Sequence, residues 1–412
     1  MDRTPRHCAL YPNLLRGLVA LLVFVSFAEM LALQQAGAIH SNDFKHLWAG
    51  AWLLAHGRNP YDPAMLFTVA ASQGWQGINP FVYLPATGLF LEPFAALPFE
   101  AARDAWLWLN WALAWAVVLA GPALIGARRP WPARLAGACF LVGAMPFMRQ
   151  MSAGQMNVVT AALIVGAIWA FRQRREWLLG LLLAIGFGWK IAPAFLIAAL
   201  VPMRRWRALA WGIGFSAALM LASVALYGVA VHRDALAMIS QMGYGKSTWA
   251  ELGSRFHLDP FNQAPGALML HLFTQNPVTA PWIDLGARTA NALTIGISIV
   301  LLAAWIGPAW RKRSEAAFLA ATLLMLLIPS LMWDHYAVQA LPALMWIFGL
   351  KDTWSRKVRA IAALVIFGLL AIPWNHQSES FRSGAGILLM SLRLWPILGL
   401  FAWATFCSKE YQ

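Results

Sequence analysis

Long apolar runs recur along almost the whole chain, and they constrain the fold more than any other feature. Of the 412 residues, 60% are hydrophobic and only 12% are charged, and the mean hydropathy is +0.60. A soluble domain carries about 25% charged residues. Because an apolar run of about 20 residues can cross a bilayer as a helix, the sequence predicts an all-α polytopic membrane protein.

The positions of the runs predict about twelve transmembrane helices. The first, at about 13–34, is longer than the roughly 7–15-residue apolar core of a signal peptide, so we expect it to remain as a span. The stretch 81–98 is short and contains Pro85 and Pro93, which favours a re-entrant segment. The other predicted spans are 103–126, 135–150, 156–171, 178–188, 191–203, 208–231, 286–310, 314–332, 336–350, 358–374 and 386–406.

Short basic clusters between the runs set the predicted orientation. The formal net charge of +14 would suit a nucleic-acid-binding protein, but Lys and Arg are grouped between apolar runs, as in cytoplasmic loops. The predicted cytoplasmic segments hold 20 of the 31 Lys and Arg. The positive-inside rule therefore favours a membrane protein with both termini in the cytoplasm, and the grouping of the charges argues against a nucleic-acid partner.

We expect a single integral membrane domain over residues 1–412 with two large outer loops. Its parts are a catalytic module at 1–231 that includes the first outer loop at 35–80, a second outer loop at 232–284, and C-terminal helices at 285–412. In the first loop, apolar residues of 44–56 recur at helical spacing and predict a helix lying flat on the membrane. A second short helix is predicted from Pro63 to Ser72.

No pattern in the sequence indicates a cofactor. The three cysteines, Cys8, Cys139 and Cys407, are too scattered for a disulfide framework or a metal site. Metal-ligand spacings, a P-loop and a dinucleotide fingerprint are absent from the sequence as well. We therefore predict chemistry carried by the side chains of the outer face, with a divalent metal left open.

Two charged residues stand out on the predicted outer face. Asp43 is the candidate base, because a carboxylate can take the proton of an attacking hydroxyl, although it or Asn42 can equally be a helix N-cap. Lys190 lies at the tip between two predicted spans, where a lysine is costly and functional by default, although it can also snorkel to the interface. A base beside a cation suits a lipid-phosphate donor whose tail lies in the bilayer.

Further polar residues are candidates for substrate contacts, each with a structural alternative. Arg149, Arg255 and Arg382 are candidate donor-phosphate ligands, although interfacial anchoring explains Arg149 and Arg382 better. Asp334 and His335 can also cap or pair at a helix end. The candidate substrate-binding residues are His46, Trp48, Asp62, Tyr83, Gln155, Asn157, Asn262, Gln263 and His335.

The order of these motifs resembles glycosyltransferase family 87, the polyprenyl-phosphate-sugar-dependent membrane transferases of bacteria. The stretches that match are Asp43-Phe44 with Trp48, Gly57 to Asp62, Tyr83-Leu84-Pro85 with Pro93 and Leu97-Pro98, Gly154 to Asn157, Gly180 to Lys190 with Pro193, and Arg204 to Arg207. They cover the first half of the chain. The second half matches loosely, through Asn262-Gln263 and His335-Tyr336.

The resemblance implies a C-type glycosyltransferase fold and a transfer outside the cytoplasm. A mannose-like hexose would pass from a polyprenyl phosphate to a glycan or glycolipid acceptor with inversion, and the family's first-loop aspartate base corresponds to Asp43. The assignment of Lys190 to the donor phosphate is inferred from its position and charge. Two other classes stay open, a transporter or flippase of lipid-linked saccharide and a non-catalytic membrane assembly subunit. The lack of internal repeats counts against a transporter.

Overall fold

The computed structural model describes residues 7–36, 42–350 and 356–406. Outside these ranges lie the predicted cytoplasmic ends and five of the residues named or counted above: Arg3, Arg6, Lys351, Cys407 and Lys409. The described chain is helical throughout, with a single antiparallel bridge between Asn262 and Trp333 as its β-type pairing. The predicted all-α class is confirmed.

The described residues contain nineteen α-helices and several 3₁₀ turns. The α-helices are α1 His7–Gln35, α2 Asn42–Ala55, α3 Pro63–Ser72, α4 Ala86–Ala95, α5 Phe99–Leu124, α6 Pro130–Gly143, α7 Met145–Ala153, α8 Asn157–Arg172, α9 Glu176–Trp189, α10 Ala194–Ala199, α11 Trp206–Tyr227, α12 Val229–Ser240, α13 Pro265–Phe273, α14 Gly286–Lys312, α15 Glu315–Leu327, α16 Leu341–Phe348, α17 Arg356–Ala371, α18 Gly386–Met390 and α19 Leu394–Phe406. The 3₁₀ turn that matters for the site is Asp334–Ala340.

Four helices of the described chain are long and apolar enough to cross a membrane, namely α1, α5, α11 and α14. The pair α7 and α8 qualifies as a fifth, broken span, because the two helices meet at an angle of 115°. The remaining predicted spans correspond to shorter or interrupted helices. The structure thus supports four to five candidate spans and leaves the predicted total of twelve unconfirmed.

Several predicted spans are wrong as continuous helices. The span 191–203 is helical only over α10, and the span 208–231 crosses the break between α11 and α12 at Gly228. The segment 135–150 breaks at Ala144, and Pro146 stands in the first turn of α7, where its missing N–H is tolerated. The segment 386–406 is divided between α18 and α19. Arg393 lies in this break, and its guanidinium donates to the carbonyl groups of two α17-end residues, Leu369 and Ile372. The buried guanidinium is thus satisfied by backbone carbonyl groups.

Two further irregular segments follow from local sequence. The stretch 81–98 is helical only over α4, which begins directly after Pro85. The predicted span 336–350 starts as the 3₁₀ turn and becomes α16 at Leu341, with a proline again in the first helical turn. In the first loop, α2 and α3 confirm both predicted short helices.

Burial separates a helix-packed interior from helices that face outward. Every residue of α15 from Ala316 to Leu327 is buried, so this helix lies at the centre of the main core. A second, aromatic-rich core joins α2, α3 and α4 to the start of α5, through Phe44, Trp48 and Trp106. By contrast, α1, α11 and α14 expose many large apolar side chains. Such faces are what a hydrocarbon surrounding requires.

Candidate active site

A polar cavity of about 580 Å³ lies where the first turn of α2, the end of α7 and the 3₁₀ turn meet. We call it the central cavity. Loop residues from 79–83 and 242–261 complete its wall. Its polar and aromatic lining residues are Asn42, Asp43, His46, Asn79, Tyr83, Arg149, Ser152, Gln155, Thr248, Phe256, Asp259, Phe261, Trp333, Asp334, His335 and Tyr336.

A glycine corner presses α2 against the break between α7 and α8. Gly154 ends α7 with a left-handed φ of +69°, a conformation that favours glycine. A Cβ at this position would lie 2.6 Å from the Cβ of Phe44, so only glycine allows this close approach. The indole Nε1 of Trp106 donates to the Gly154 carbonyl at 2.8 Å. The close approach of Gly154 to Phe44 brings Asp43, the neighbour of Phe44, to the cavity wall.

Asp43 presents an accessible carboxylate to the central cavity. It lies in the first turn of α2, and its side chain is 16% exposed. One carboxylate oxygen accepts a hydrogen bond of 3.3 Å from Nδ2 of Asn79. The other lies 4.0 Å from Nε2 of His335, beyond hydrogen-bond distance. This oxygen is therefore available to a hydroxyl that enters the cavity.

Asp334, which also lines the central cavity, is buried and ion-paired. Its Oδ2 accepts from Nη1 of Arg149 at 2.7 Å, and its side chain is 2% exposed. The imidazoles of His335 and His376 lie 3.7 Å and 3.8 Å from its two oxygens. Burial raises the pKa of Asp334, but these neighbours outweigh it and lower the pKa below its ordinary value. Asp334 therefore holds the wall together as a permanent anion and is a poor proton acceptor.

The 3₁₀ turn also fixes His335 and supports Arg149. The backbone N–H of Asp334 donates to the Phe261 carbonyl at 3.0 Å, which ties the turn to the second outer loop. The guanidinium of Arg149 lies 4.1 Å from the ring centroid of Phe261, a cation–π contact. Nε2 of His335 is buried without a hydrogen-bond partner among the described residues. This nitrogen is placed to meet a polar group of a ligand.

Lys190 leaves the end of α9 in an extended conformation and enters a second pocket of about 380 Å³. We call it the lysine pocket. Its Nζ donates to Oδ1 of Asn157 at 3.0 Å and lies 3.4 Å from the ring centroid of Tyr336. Oδ1 of Asn157 also accepts from Nε2 of Gln339 at 2.7 Å. Burial lowers the pKa of Lys190 to about 7, against the opposing charge of Asp43.

The lysine pocket opens on the central cavity and is otherwise apolar. Val82, Tyr83, Met242, Leu331 and Tyr336 line both spaces. The rest of the lysine pocket is formed mainly by apolar side chains, Ile191, Ala192, Ile239, Met325, Leu326 and Pro329. A single ligand can therefore extend from an apolar pocket, past the ammonium of Lys190, into the polar space that Asp43 lines.

Eight of the predicted site residues come together in these two spaces. Tyr83 accepts a hydrogen bond of 3.4 Å from Nε2 of Gln155 and stacks on the His46 ring, whose centroid is 5.8 Å away. Burial lowers the pKa of His46, although the charge of Asp43 opposes this effect. The eight are Asp43, His46, Tyr83, Arg149, Gln155 and His335 in the central cavity, and Lys190 with its partner Asn157 at the lysine pocket.

Six predicted site residues lie elsewhere. Two have roles in the first loop: Trp48 donates to the Leu97 carbonyl inside the aromatic core, and Asp62 caps α3 by accepting from the Ala64 N–H. Arg255 and Arg382 have exposed side chains and line neither the central cavity nor the lysine pocket.

Asn262 and Gln263 serve the backbone. Oδ1 of Asn262 accepts from the Met332 N–H at 2.9 Å, and Oε1 of Gln263 accepts from the Arg393 N–H at 3.0 Å. These bonds hold the second outer loop against the C-terminal helices. These backbone hydrogen bonds explain why Asn262 and Gln263 are buried without a role in substrate binding.

Several cavity residues carried no sequence signal strong enough to single them out. Asn79, Phe261 and Trp333 are ordinary loop residues until the fold gathers them. Asp259 is a third cavity carboxylate, and burial raises its pKa. His376 comes from the segment between α17 and α18 and reaches Asp334 from outside the predicted module. In the described residues no group of three or more His, Cys, Asp or Glu has the arrangement of a metal site.

Comparison with known proteins supports a glycosyltransferase. The family model for glycosyltransferase family 87 matches residues 81–334, which is more than half of the chain. The match begins after the first outer loop, so Asp43 lies outside it, and it ends just before His335-Tyr336. No solved structure matches the chain.

Two curated relatives cover most of the chain. A polyprenol-phosphate-mannose-dependent α-(1-2)-phosphatidylinositol mannoside mannosyltransferase of Mycobacterium tuberculosis is 27% identical over 81% of this chain and 75% of its own length. A polyprenol-phosphate-mannose-dependent α-(1-2)-phosphatidylinositol pentamannoside mannosyltransferase of Mycolicibacterium smegmatis is 25% identical over 72% of this chain and 68% of its own length.

Proposed function

We propose that this chain, which belongs to glycosyltransferase family 87, moves a hexose from a polyprenyl-phosphate sugar to a glycan or glycolipid. The two relatives use polyprenol-phosphate-mannose, so mannose is the first sugar to consider. One observation carries the mechanism: the accessible carboxylate of Asp43 shares a cavity with the mouth of an apolar pocket that holds Lys190. The candidate base, the cation and a space for the lipid chain are thus adjacent.

Asp43 acts as the general base in this proposal. An acceptor hydroxyl binds beside the free oxygen of Asp43 and attacks the anomeric carbon of the donor sugar. The new bond joins the acceptor oxygen to that carbon, the hydroxyl proton passes to Asp43, and the bond between the carbon and the phosphate oxygen breaks. Attack from the face opposite the leaving phosphate inverts the configuration. A positioned base contributes about 10²–10⁴-fold to such a step.

Lys190 holds the donor phosphate. Its ammonium is buried, so its interaction with a phosphate oxygen is weakly screened, and it opposes the charge that develops as polyprenyl phosphate departs. The polyprenyl chain follows the apolar wall of the lysine pocket. Arg149 adds positive charge to the central cavity, although its pairing with Asp334 leaves less of that charge for the donor.

The remaining cavity residues orient the sugars. His46, Tyr83 and Gln155 offer polar groups on one wall, and the unpartnered Nε2 of His335 offers another beside Asp43. Phe256, Phe261 and Trp333 supply aromatic faces for sugar rings. Trp48 does not serve this purpose, because it packs in the aromatic core.

The proposal includes the C-type glycosyltransferase fold and a topology of about twelve crossings, with the cavity outside and both termini in the cytoplasm of a bacterial inner membrane. The basic clusters between apolar runs support this orientation. A reporter fused after Gly74 tests it directly. Extracytoplasmic activity of the reporter is expected, and a cytoplasmic signal would place the cavity on the wrong side for this proposal.

Transfer by the purified protein tests the function. Incubation with a panel of polyprenyl-phosphate sugars and membrane-lipid extract should yield a glycosylated lipid detected by mass spectrometry, and NMR of the product should show the inverted anomeric configuration. A retained configuration would contradict direct displacement. Translocation of the donor across proteoliposomes without any sugar transfer would favour the rival function, a flippase of lipid-linked saccharide.

A further inference from the structure

Asp259 is a third carboxylate in the central cavity, and the proposed reaction leaves it without a role. It follows the 3₁₀ turn Phe256–Leu258 in the second outer loop. Its Oδ1 accepts a hydrogen bond of 2.8 Å from the N–H of Phe261, two residues further along the chain. Its Oδ2 makes no hydrogen bond to another residue of the described chain. One oxygen therefore fixes the loop, and the other is free for a ligand.

The loop alone does not require a carboxylate at this position. An asparagine side chain accepts the same hydrogen bond from a backbone N–H two residues on. A carboxylate is more costly, because burial raises the pKa of Asp259 and the charge of Asp334 adds to this effect. The hydrogen bond from Phe261 and the charge of Arg149 oppose the rise in pKa. The free oxygen of Asp259 thus points to a bound group that donates a hydrogen bond.

Three aromatic side chains line the central cavity together with this carboxylate. They are Phe256, Phe261 and Trp333. The rings of Phe256 and Trp333 meet edge to face, with centroids 5.9 Å apart. The backbone of Trp333 is fixed by its antiparallel bridge to Asn262. A sugar fits such a set, because its hydroxyl groups donate to a carboxylate while its C–H groups pack on aromatic rings.

A series of contacts links Asp43 to Asp259 without passing through the lysine pocket. Asp43 and Asp334 lie 4.0 Å and 3.7 Å from the two ring nitrogens of His335. The N–H of Asp334 donates to the carbonyl of Phe261, whose own N–H donates to Asp259. All five residues line the central cavity, and none lines the lysine pocket. Because direct displacement puts the acceptor opposite the leaving phosphate, this part of the cavity suits the acceptor.

We propose that Asp259 selects the terminal sugar of the acceptor. One hydroxyl group of that sugar donates to the free oxygen of Asp259, its ring lies against Trp333, and a different hydroxyl group of the same ring meets Asp43. This inference rests on the proposed function and adds a rule for the choice of acceptor. An uncharged terminal hexose fits, whereas a terminal ring that carries a carboxylate is repelled by Asp259. Charges elsewhere in the acceptor lie outside this rule.

Binding of small glycosides tests the rule without relying on turnover. The probes are methyl α-mannoside, its 2-, 3-, 4- and 6-deoxy analogues, and methyl α-mannosiduronate, each titrated into the purified full-length protein and followed by saturation-transfer NMR. At least one deoxy analogue should bind wild type about tenfold more weakly than methyl α-mannoside, equivalent to about 1.4 kcal/mol. The uronate should bind wild type more weakly still.

Asp259→Asn removes the charge and keeps an oxygen for the N–H of Phe261, so the loop should stay in place. Methyl α-mannoside should bind this variant about tenfold more weakly than wild type. The deoxy analogue that wild type rejects should now bind within about twofold of methyl α-mannoside. The uronate should bind the variant better than it binds wild type. Asp259→Ser, whose hydroxyl can also accept from that N–H, repeats the test if Asp259→Asn folds poorly.

Asp284→Asn is the matched control. Oδ1 of Asp284 accepts from the N–H of Gly286 at 3.0 Å in the same kind of turn, but Asp284 is exposed and lines neither the central cavity nor the lysine pocket. Its substitution should leave binding of every probe unchanged. Trp333→Leu, which removes a ring and no charge, should weaken all the mannosides alike and keep the discrimination among them.

The possible outcomes are distinct. Equal discrimination among the probes by wild type and Asp259→Asn would overturn the inference, as would a lack of binding by every probe. Displacement of methyl α-mannoside by polyprenyl-phosphate mannose, measured in Asp43→Asn to prevent turnover, would place the glycoside in the donor's position and overturn it too. The expected binding pattern without any sugar transfer would count against the proposed function alone.

Discussion

Asp43 and Asp334 are two carboxylates that line one cavity, and their surroundings differ. Asp43 lies in the first turn of a short helix, with one oxygen facing the cavity and no hydrogen bond to that oxygen among the described residues. Asp334 has Arg149 at 2.7 Å and two imidazoles within 4 Å. The contrast shows why only one of the two carboxylates suits catalysis. The free oxygen of Asp43 can bind a substrate hydroxyl, whereas the oxygens of Asp334 already interact with charged side chains of the protein.

The largest expected effect is the loss of transfer in Asp43→Asn. The amide keeps the shape of the side chain but takes up no proton, so turnover should fall about 10²–10⁴-fold. Transfer from polyprenyl-phosphate mannose, followed by mass spectrometry, measures the effect. The matched control is Asp62→Asn, which changes the same residue type in the same loop outside the cavity. Equal turnover in wild type and Asp43→Asn would assign the base to another carboxylate, Asp259 first.

Asp334→Asn should lower the stability of the protein more than it lowers the rate of transfer. Removal of one partner of a buried ion pair costs about 3–5 kcal/mol, and we expect the lower end because the Arg149 side chain is 23% exposed. The thermal unfolding midpoint in detergent should drop, while transfer per folded molecule stays within about tenfold of wild type. An unchanged midpoint with abolished transfer would reverse the roles given to the two aspartates.

Lys190→Gln should weaken binding of the donor and leave the catalytic base, Asp43, in place. A charged hydrogen bond contributes about 1.5–3 kcal/mol, so the dissociation constant of polyprenyl-phosphate mannose should rise about 10–100-fold. Binding can be followed by native mass spectrometry. A matched control is Lys246→Gln, which removes a positive charge from the second outer loop at a residue that lines neither the central cavity nor the lysine pocket. Equal donor binding by Lys190→Gln and wild type would place the phosphate elsewhere.

The same lysine predicts a pH dependence with a definite sign. Burial brings the pKa of Lys190 to about 7 in the empty protein, and a bound phosphate favours the ammonium form. Below pH 7 the lysine is already protonated and affinity is constant. Above pH 7 binding takes up a proton, so donor affinity should fall by up to about tenfold per pH unit. Lys190→Gln should abolish this slope, and a slope that persists would belong to another group.

The smallest expected effect lies at Asp62. Its carboxylate caps α3 far from the chemistry, so Asp62→Ala should cost about 0.5–2 kcal/mol of stability. A calorimetric scan should show a modest decrease in unfolding temperature, and transfer at 20 °C should equal that of wild type. A decrease in transfer beyond the loss of folded protein would restore Asp62 as a substrate contact.

The sequence predicted the helices well because apolar runs and proline positions are local signals. Both first-loop helices and the helix break at Lys190 follow from such patterns. The break at Ala144 was missed although Pro146, two residues further on, is a local signal for it. The break at Arg393 was missed because it depends on hydrogen bonds to carbonyl groups at the end of α17. Propensity and hydropathy carry no information about such distant partners.

The site was predicted in part. Residues with a local sequence signal were found, and residues that only the fold brings together were missed. Asp43 and Lys190 stand out because charges are rare in an apolar sequence. The pairing of Arg149 with Asp334 joins residues 185 positions apart, which no spacing reveals. Asn262 and Gln263 resembled substrate contacts, but buried amides serve backbone groups as readily as ligands. His376 carried no signal at all until the fold placed it beside Asp334.

A single-turnover experiment on donor-loaded enzyme tests the contrast between the two aspartates most directly. Asp43→Asn and Asp334→Asn are each saturated with polyprenyl-phosphate mannose, mixed with acceptor lipid, and quenched over time, with rates divided by the folded, donor-bound fraction. The account predicts a loss of about 10²–10⁴-fold for Asp43→Asn and less than about tenfold for Asp334→Asn. The opposite order would show that the clamped carboxylate is the base and would contradict the account.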